Sequence, residues 1–165
     1  MQDQQATFKQ TQVLFYALLA GQLMICLVLL LISSKSHINP SLDMSFGDIK
    51  QLLMILLVPA AIMGSHYLYS NKSREGKQLK GFEEKLMHFR ASSILRWALL
   101  EGVNLITLIF FFLTKNYFFL LIFGFGFLIF FFTRPTENGF TEDYKLNSQE
   151  KQDFKEDLKK GFQKQ

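Results

Sequence analysis

The chain is poor in the residues that staple or ligate. It has one Cys, one Trp, three His and three Pro among 165 residues. A single thiol, Cys26, excludes a disulfide framework within the chain. It lies inside an apolar block and reads as a small hydrophobe. His37, His66 and His88 are scattered and match no metal-ligand spacing, so no metal or other cofactor is expected. There is no phosphate-binding glycine loop, zinc motif, nucleophile elbow or kinase signature. No enzyme is expected on these grounds.

What is abundant is apolar. The chain has 19 Phe, and its hydrophobic residues come in long blocks separated by polar stretches. A helix needs roughly 20 apolar residues to cross a hydrocarbon core of about 30 Å. Four blocks approach that length, at about 13–33, 49–69, 93–113 and 117–133, the last being the shortest. Open strands would leave backbone groups without partners in lipid, so the blocks read as helices. The expectation is an all-α membrane protein, a bundle of four transmembrane helices. Residues 1–12 form a short N-terminal segment and 134–165 a tail.

Net charge is +4, but its distribution says more. The segment between the second and third blocks carries Lys72, Arg74, Lys77, Lys80, Lys85 and Arg90. The tail carries Arg134, Lys145, Lys151, Lys155, Lys159, Lys160 and Lys164. The loops on the other side carry only Lys35, Lys50 and Lys115. The positive-inside rule then places both termini and the middle loop in the cytoplasm of a multi-pass protein of the bacterial inner membrane. Basic residues beside membrane spans are explained without nucleic acid.

The first and third blocks resemble each other. Leu14-Phe15-Tyr16-Ala17-Leu18-Leu19-Ala20-Gly21 aligns with Leu95-Arg96-Trp97-Ala98-Leu99-Leu100-Glu101-Gly102. The shared string of aromatic, Ala, Leu, Leu and Gly raises a duplication of two parallel helical hairpins, related by an axis along the membrane normal. Ala17 with Gly21 and Ala60 with Gly64 are small-xxx-small pairs, which let helices approach closely.

Glu101 is the only acidic residue inside a span. Intramembrane charges are expensive and tend to mark function. Asn104 lies one turn on, and Gln22 lies at similar depth in the first span. His66 and Arg96 lie nearer the basic side, and Pro59 frees the carbonyl of Ile55 in the second. Glu101, Asn104, Gln22 and His66 therefore form a candidate proton or ion site. The competing reading is a protonated Glu that ties helices together.

Outside the spans, Leu79, Phe82, Leu86 and Phe89 recur at helical spacing, predicting an amphipathic middle-loop helix that lies on the membrane surface and runs into the third span, the competing reading being a solvated linker. In the tail, Asn147 precedes Glu150 by three residues, a capping-box pattern, and Phe154, Leu158 and Phe162 continue a helix that Gly161 would end. That helix would dock on the middle loop or on a partner, the competing reading being a disordered tail.

Two resemblances follow from these residues. The string from Leu95 to Gly102, the short turn at Thr114-Lys115-Asn116 and the Arg134-Pro135-Thr136 exit look like an uncharacterised family of bacterial four-span inner-membrane proteins. Ala98-Leu99-Leu100-Glu101 followed by Leu105-Ile106 is similar to the acid-bearing helix of the proteolipid c subunits of rotary ATPases. That likeness would make Glu101 the ion-binding residue. The chain departs from it in lacking a glycine-rich packing helix, in its long charged middle loop, and in carrying the acid on the third span. The function expected is a non-enzymatic scaffold or assembly component. It would contact a second copy or another membrane protein through its cytoplasmic loop and tail. The alternative is a proton- or ion-coupled component using Glu101.

Overall fold

The computed structural model describes residues 2–35, 41–44, 48–152 and 154, with side chains from residue 7 onward. It is all-helical among these residues: α1 Gln2–Ser34, α2 Ile49–Gly76, α3 Phe82–Thr114, α4 Tyr117–Phe132 and α5 Glu137–Asp143. Most of the first polar loop, and Leu158, Gly161 and Phe162 of the expected tail helix, lie outside the described residues.

Helices α1, α2 and α3 are long and apolar enough to cross a membrane, and α4 joins them if it is counted with α5 as one bent span. Alone, α4 has 16 residues, about 24 Å at 1.5 Å per residue. The axes of α4 and α5 differ by 72°. Outward-facing side chains support burial in lipid: Met24 and Leu113 are more than two-thirds exposed, and Phe132 is 80% exposed. In water so many exposed apolar side chains would be an aggregation surface; in hydrocarbon they need no cover.

Helix α3 is the hub. Its buried residues Trp97, Leu100, Val103, Asn104, Thr107, Leu108 and Phe111 recur at steps of three and four, a stripe on one side of the helix. It packs against α1, α2 and α4, whereas α1 packs chiefly on α3. Two apolar layers result. Met54 and Val58 of α2 meet Val103 and Phe111 of α3 and Phe119 of α4. Nearer the basic end, Phe15 of α1 meets Trp97 and Leu100 of α3 and Phe130 of α4. Phe15 and Phe130 stack with centroids 5.2 Å apart.

The two suspected hairpins differ in this packing. Helices α3 and α4 lie against each other, but α1 and α2 have no comparable contact. Aligned positions also differ in environment. Trp97 is fully buried while its counterpart Tyr16 faces outward.

At the far end, Lys115 takes a left-handed conformation (φ 55°) and Asn116 caps α4, its side chain accepting from the Phe118 N–H. Asn116 Nδ2 also donates to the Asp43 carbonyl at 2.8 Å, and Gln51 Nε2 donates to the same carbonyl at 2.9 Å. These bonds tie the first loop to the α3–α4 turn.

The basic end is where the structure departs most from expectation. The amphipathic stretch runs on into the third span as one continuous helix. Phe82, Leu86 and Phe89 form the first turns of α3, and Leu79 lies in the turn before it. Their apolar face is covered by protein instead of lipid. Phe8 of α1, Leu86 and Phe89 of α3, and Phe140, Tyr144, Leu146 and Phe154 of the tail make one buried core, with Tyr69 and Phe82 beside it. We refer to this as the cap. The capping box forms: the Glu150 N–H donates to Asn147 Oδ1 and the Asn147 N–H donates to Glu150 Oε2.

Candidate functional site

Two polar places interrupt the apolar interior. The first lies within the bundle. Asn104 Nδ2 donates to Gln22 Oε1 at 2.8 Å, and both residues are buried. One turn along α3, the buried Thr107 hydroxyl donates to the Val103 carbonyl at 2.8 Å, which satisfies it within its own helix. Room for Asn104 comes from α4. A Cβ added to Gly126 would overlap Asn104 Oδ1. Gln22 Nε2 has no acceptor among the described residues.

The four candidate residues do not converge. Gln22 and Asn104 meet, but Glu101 sits half-buried at the edge of the α3 stripe. It makes no hydrogen bond or ion pair among the described residues. His66 is exposed on α2, next to the buried Ser65. The reason is rotational. Residues 101 and 104 are about 60° apart around an α-helix, and the face of α3 turned to α1 is centred on Asn104. The small-residue pairs lie elsewhere too. Ala17 and Ala60 are exposed, and a Cβ at Gly21 or Gly64 would meet nothing within 4 Å. Within one chain these pairs make no close helix contact.

Chemically, the Gln22–Asn104 pair is two neutral carboxamides. It can hold helices in register and carries no titrating proton. Among the described residues, no three His, Cys, Asp or Glu side chains gather to hold a metal.

The second place is the cap, where polar groups surround the aromatic core. His88 Nδ1 lies 3.0 Å from the Tyr144 hydroxyl. Ser92 donates to the His88 carbonyl at 2.7 Å and lies 3.5 Å from the same hydroxyl. Ser73 donates to the Asp143 carbonyl at 2.9 Å, and Tyr69 donates to Asp143 Oδ2 at 2.7 Å. Lys85 reaches Glu150 at 3.2 Å with both side chains largely buried. Burial pushes the Tyr144 phenol up to about 12; the nearby Asp143 adds to this and the bond to Ser92 opposes it. Gly76 lets the tail approach, because a Cβ there would overlap the Tyr144 ring. Sequence reasoning missed Tyr69, Ser92, Asp143 and Tyr144. The tail's aromatic spacing was the signal pointing to docking, without showing where.

No family model, curated protein or solved structure matches this chain. Function must therefore be argued from these two places.

Proposed function

We propose that the chain is a four-span protein of a bacterial inner membrane with both termini in the cytoplasm, and that it serves as a non-enzymatic assembly or scaffold component. The observation that carries this reading is the cap. Three stretches of chain distant in sequence share one aromatic core beyond the spans, and Lys72, Arg74, Lys77 and Lys80 stand exposed at the adjoining α2–α3 turn. The described part of the tail already buries Phe140, Tyr144, Leu146 and Phe154 and is no free hook. It stiffens the cap, and partners meet the charged outer surface.

Size of the complex tests the proposal. Membranes solubilised in mild detergent are compared with the purified chain on a native gel. The extracted chain should migrate as a larger assembly, and Phe140→Asp, which breaks the cap, should release it while Glu101→Gln should not. Equal migration of extracted and purified chain rejects the assembly role. Cysteine accessibility at residues 78 and 42 tests the orientation, with the first expected to be shielded in intact cells and the second open.

The alternative is a proton- or ion-coupled component using Glu101. One observation favours it: a half-buried carboxyl inside a span without a hydrogen-bond or ion-pair partner among the described residues. Glu101→Gln keeps hydrogen bonding and removes the titrating proton. Unchanged uptake of protons or cations by vesicles carrying this variant rejects that role.

A further inference from the structure

At the junction of bundle and cap, a cavity of about 150 Å³ opens between α2, α3 and the strap of residues 133–136 that leads into α5. Its polar lining includes Arg96, Arg134, Ser93, Thr136, Tyr69 and Asp143. We propose that this cavity is a binding site for a phosphate oxyanion, presented by the headgroup of an anionic phospholipid or as free phosphate.

The strongest argument is the state of Arg96. Its guanidinium lies over the Tyr69 ring, 5.0 Å from the centroid. The one carboxylate in the cavity, Asp143, is close enough to act on Arg96 electrostatically but accepts from the Tyr69 hydroxyl, and among the described residues it makes no hydrogen bond or contact ion pair with the guanidinium. Arg96 Nε is buried with no acceptor among the described residues. Arginine stays charged at any accessible pH and has no acceptor of its own. A buried guanidinium N–H without an acceptor is a demand for an anion. The planar fork matches two oxygens of a phosphate.

A second observation points the same way. Ser93 is 4% exposed and lines the cavity, yet its hydroxyl makes no hydrogen bond among the described residues. A helical serine ordinarily bonds back to its own helix, as Ser92 does next to it. The Ser93 hydroxyl is left to a guest. Arg134 adds a second positive charge, so two cations face one carboxylate and the lining favours a monoanion.

Position selects the kind of anion. Trp97 Nε1 donates to the Thr133 carbonyl at 3.2 Å on the bundle side of the cavity. Phe132, 80% exposed, stands at its edge. An exposed apolar ring with an arginine behind it lets an acyl chain and its phosphate reach the cavity together. A phospholipid could seat its phosphate on Arg96 and Ser93 while its chains run past Phe132. The volume has room for a tetrahedral oxyanion with a few waters. The inference stands apart from the assembly role, since a phosphate site needs no protein partner.

Trp97 is the only tryptophan and lines the cavity, so the full-length chain carries its own probe. Delipidated protein in neutral detergent is titrated with short-chain phosphatidylglycerol, with diacylglycerol of the same chains, and with inorganic phosphate. Tryptophan fluorescence and native mass spectrometry are read together. The expected result is a saturable change with phosphatidylglycerol and none with diacylglycerol. Arg96→Gln should weaken binding about tenfold or more, the scale of a hydrogen bond to a charged group. Arg96→Lys should retain part of it, and Ser93→Ala should weaken it less. If inorganic phosphate saturates the signal and competes with the lipid, the site accepts free phosphate; if it does neither, the lipid is the source. Should Arg96→Gln fail to fold, Ser93→Ala and Arg134→Gln make the same comparison. Equal binding of phosphatidylglycerol and diacylglycerol, or binding unchanged in every folded variant, overturns the proposal.

Discussion

Gly126→Ala is the sharpest test of the polar layer within the bundle. The added Cβ would overlap Asn104 Oδ1, and Asn104 Cγ lies only 3.3 Å from it. Asn104 must then rotate, and its bond to Gln22 is lost. An interhelical polar bond in a membrane contributes roughly 0.6–2 kcal/mol. The rotation also leaves Gln22 Oε1 without its donor, in addition to the Nε2 that already lacks an acceptor, and a stranded buried polar group costs about 1–3 kcal/mol. Against this, alanine is favoured over glycine in a helix by about 1 kcal/mol. The net expectation is a loss of about 1–4 kcal/mol. The assay is unfolding by a rising mole fraction of sodium dodecyl sulfate in mixed micelles, followed by Trp97 fluorescence. Gly124→Ala on the same helix is the control, because its Cβ would meet nothing within 4 Å. It should be neutral or slightly stabilising. In an Asn104→Ala background the penalty of Gly126→Ala should largely disappear, since the clash is gone. If Gly126→Ala and Gly124→Ala unfold alike, the packing argument is wrong.

Three further outcomes follow for the cap. Gly76→Ala drives a Cβ into the Tyr144 ring and towards His88 Nδ1, so limited proteolysis should cut the tail after residue 136 several-fold faster, with Gly81→Ala unchanged. The Tyr144 phenol is raised to about 12 by burial, so between pH about 10 and 12 the folded state keeps a proton that the unfolded chain has lost. Stability is then whole below about pH 10 and falls as pH rises towards 12; Tyr144→Phe should abolish that component of an alkaline titration. Lys85→Met strands Glu150 in a largely buried setting and should lower cap stability by about 3 kcal/mol, whereas Lys85→Met with Glu150→Leu should restore most of it, as measured by hydrogen exchange of the first turns of α3.

The apolar blocks were legible because hydrocarbon imposes length and composition on a helix before any tertiary contact is made. Gln22 and Asn104 could be placed at one depth, since depth follows from counting residues. That they meet each other and not Glu101 depends on how α1 and α3 are rotated about their axes, which side-chain spacing alone leaves open. The capping box at Asn147 and Glu150 is local, so it could be read directly. The cap core could not. Phe8, Phe89, Phe140 and Phe154 belong to segments far apart in sequence, and local spacing does not say that they meet. Periodicity at Phe82, Leu86 and Phe89 announces an apolar face without saying whether lipid or protein covers it.

The asymmetry that matters therefore runs along the membrane normal more than between the two halves of the sequence. Helix α3 has 33 residues, about 50 Å of helix, against a hydrocarbon core of about 30 Å. On the proposed four-span arrangement with little tilt, some 20 Å stands outside, and the far end offers it little room, because α3 stops there in a tight turn at Lys115 and Asn116. That arrangement puts the excess at the basic end, together with the ends of α1 and α2. Helix α4 does the opposite. It ends at Phe132, level with Trp97, and the chain bends by 72° into α5. A short helix beside three long ones leaves a step, and the tail folds into that step to cover the overhanging faces. The cavity lined by Arg96 and Ser93 lies at the step itself, beneath the strap of residues 133–136. Cap, strap and cavity are thus consequences of one mismatch in helix length. Lengthening α4 by one turn at Gly124 should displace the strap, loosen the cap and open the cavity together, whereas independent responses of cap and cavity would refute that common origin.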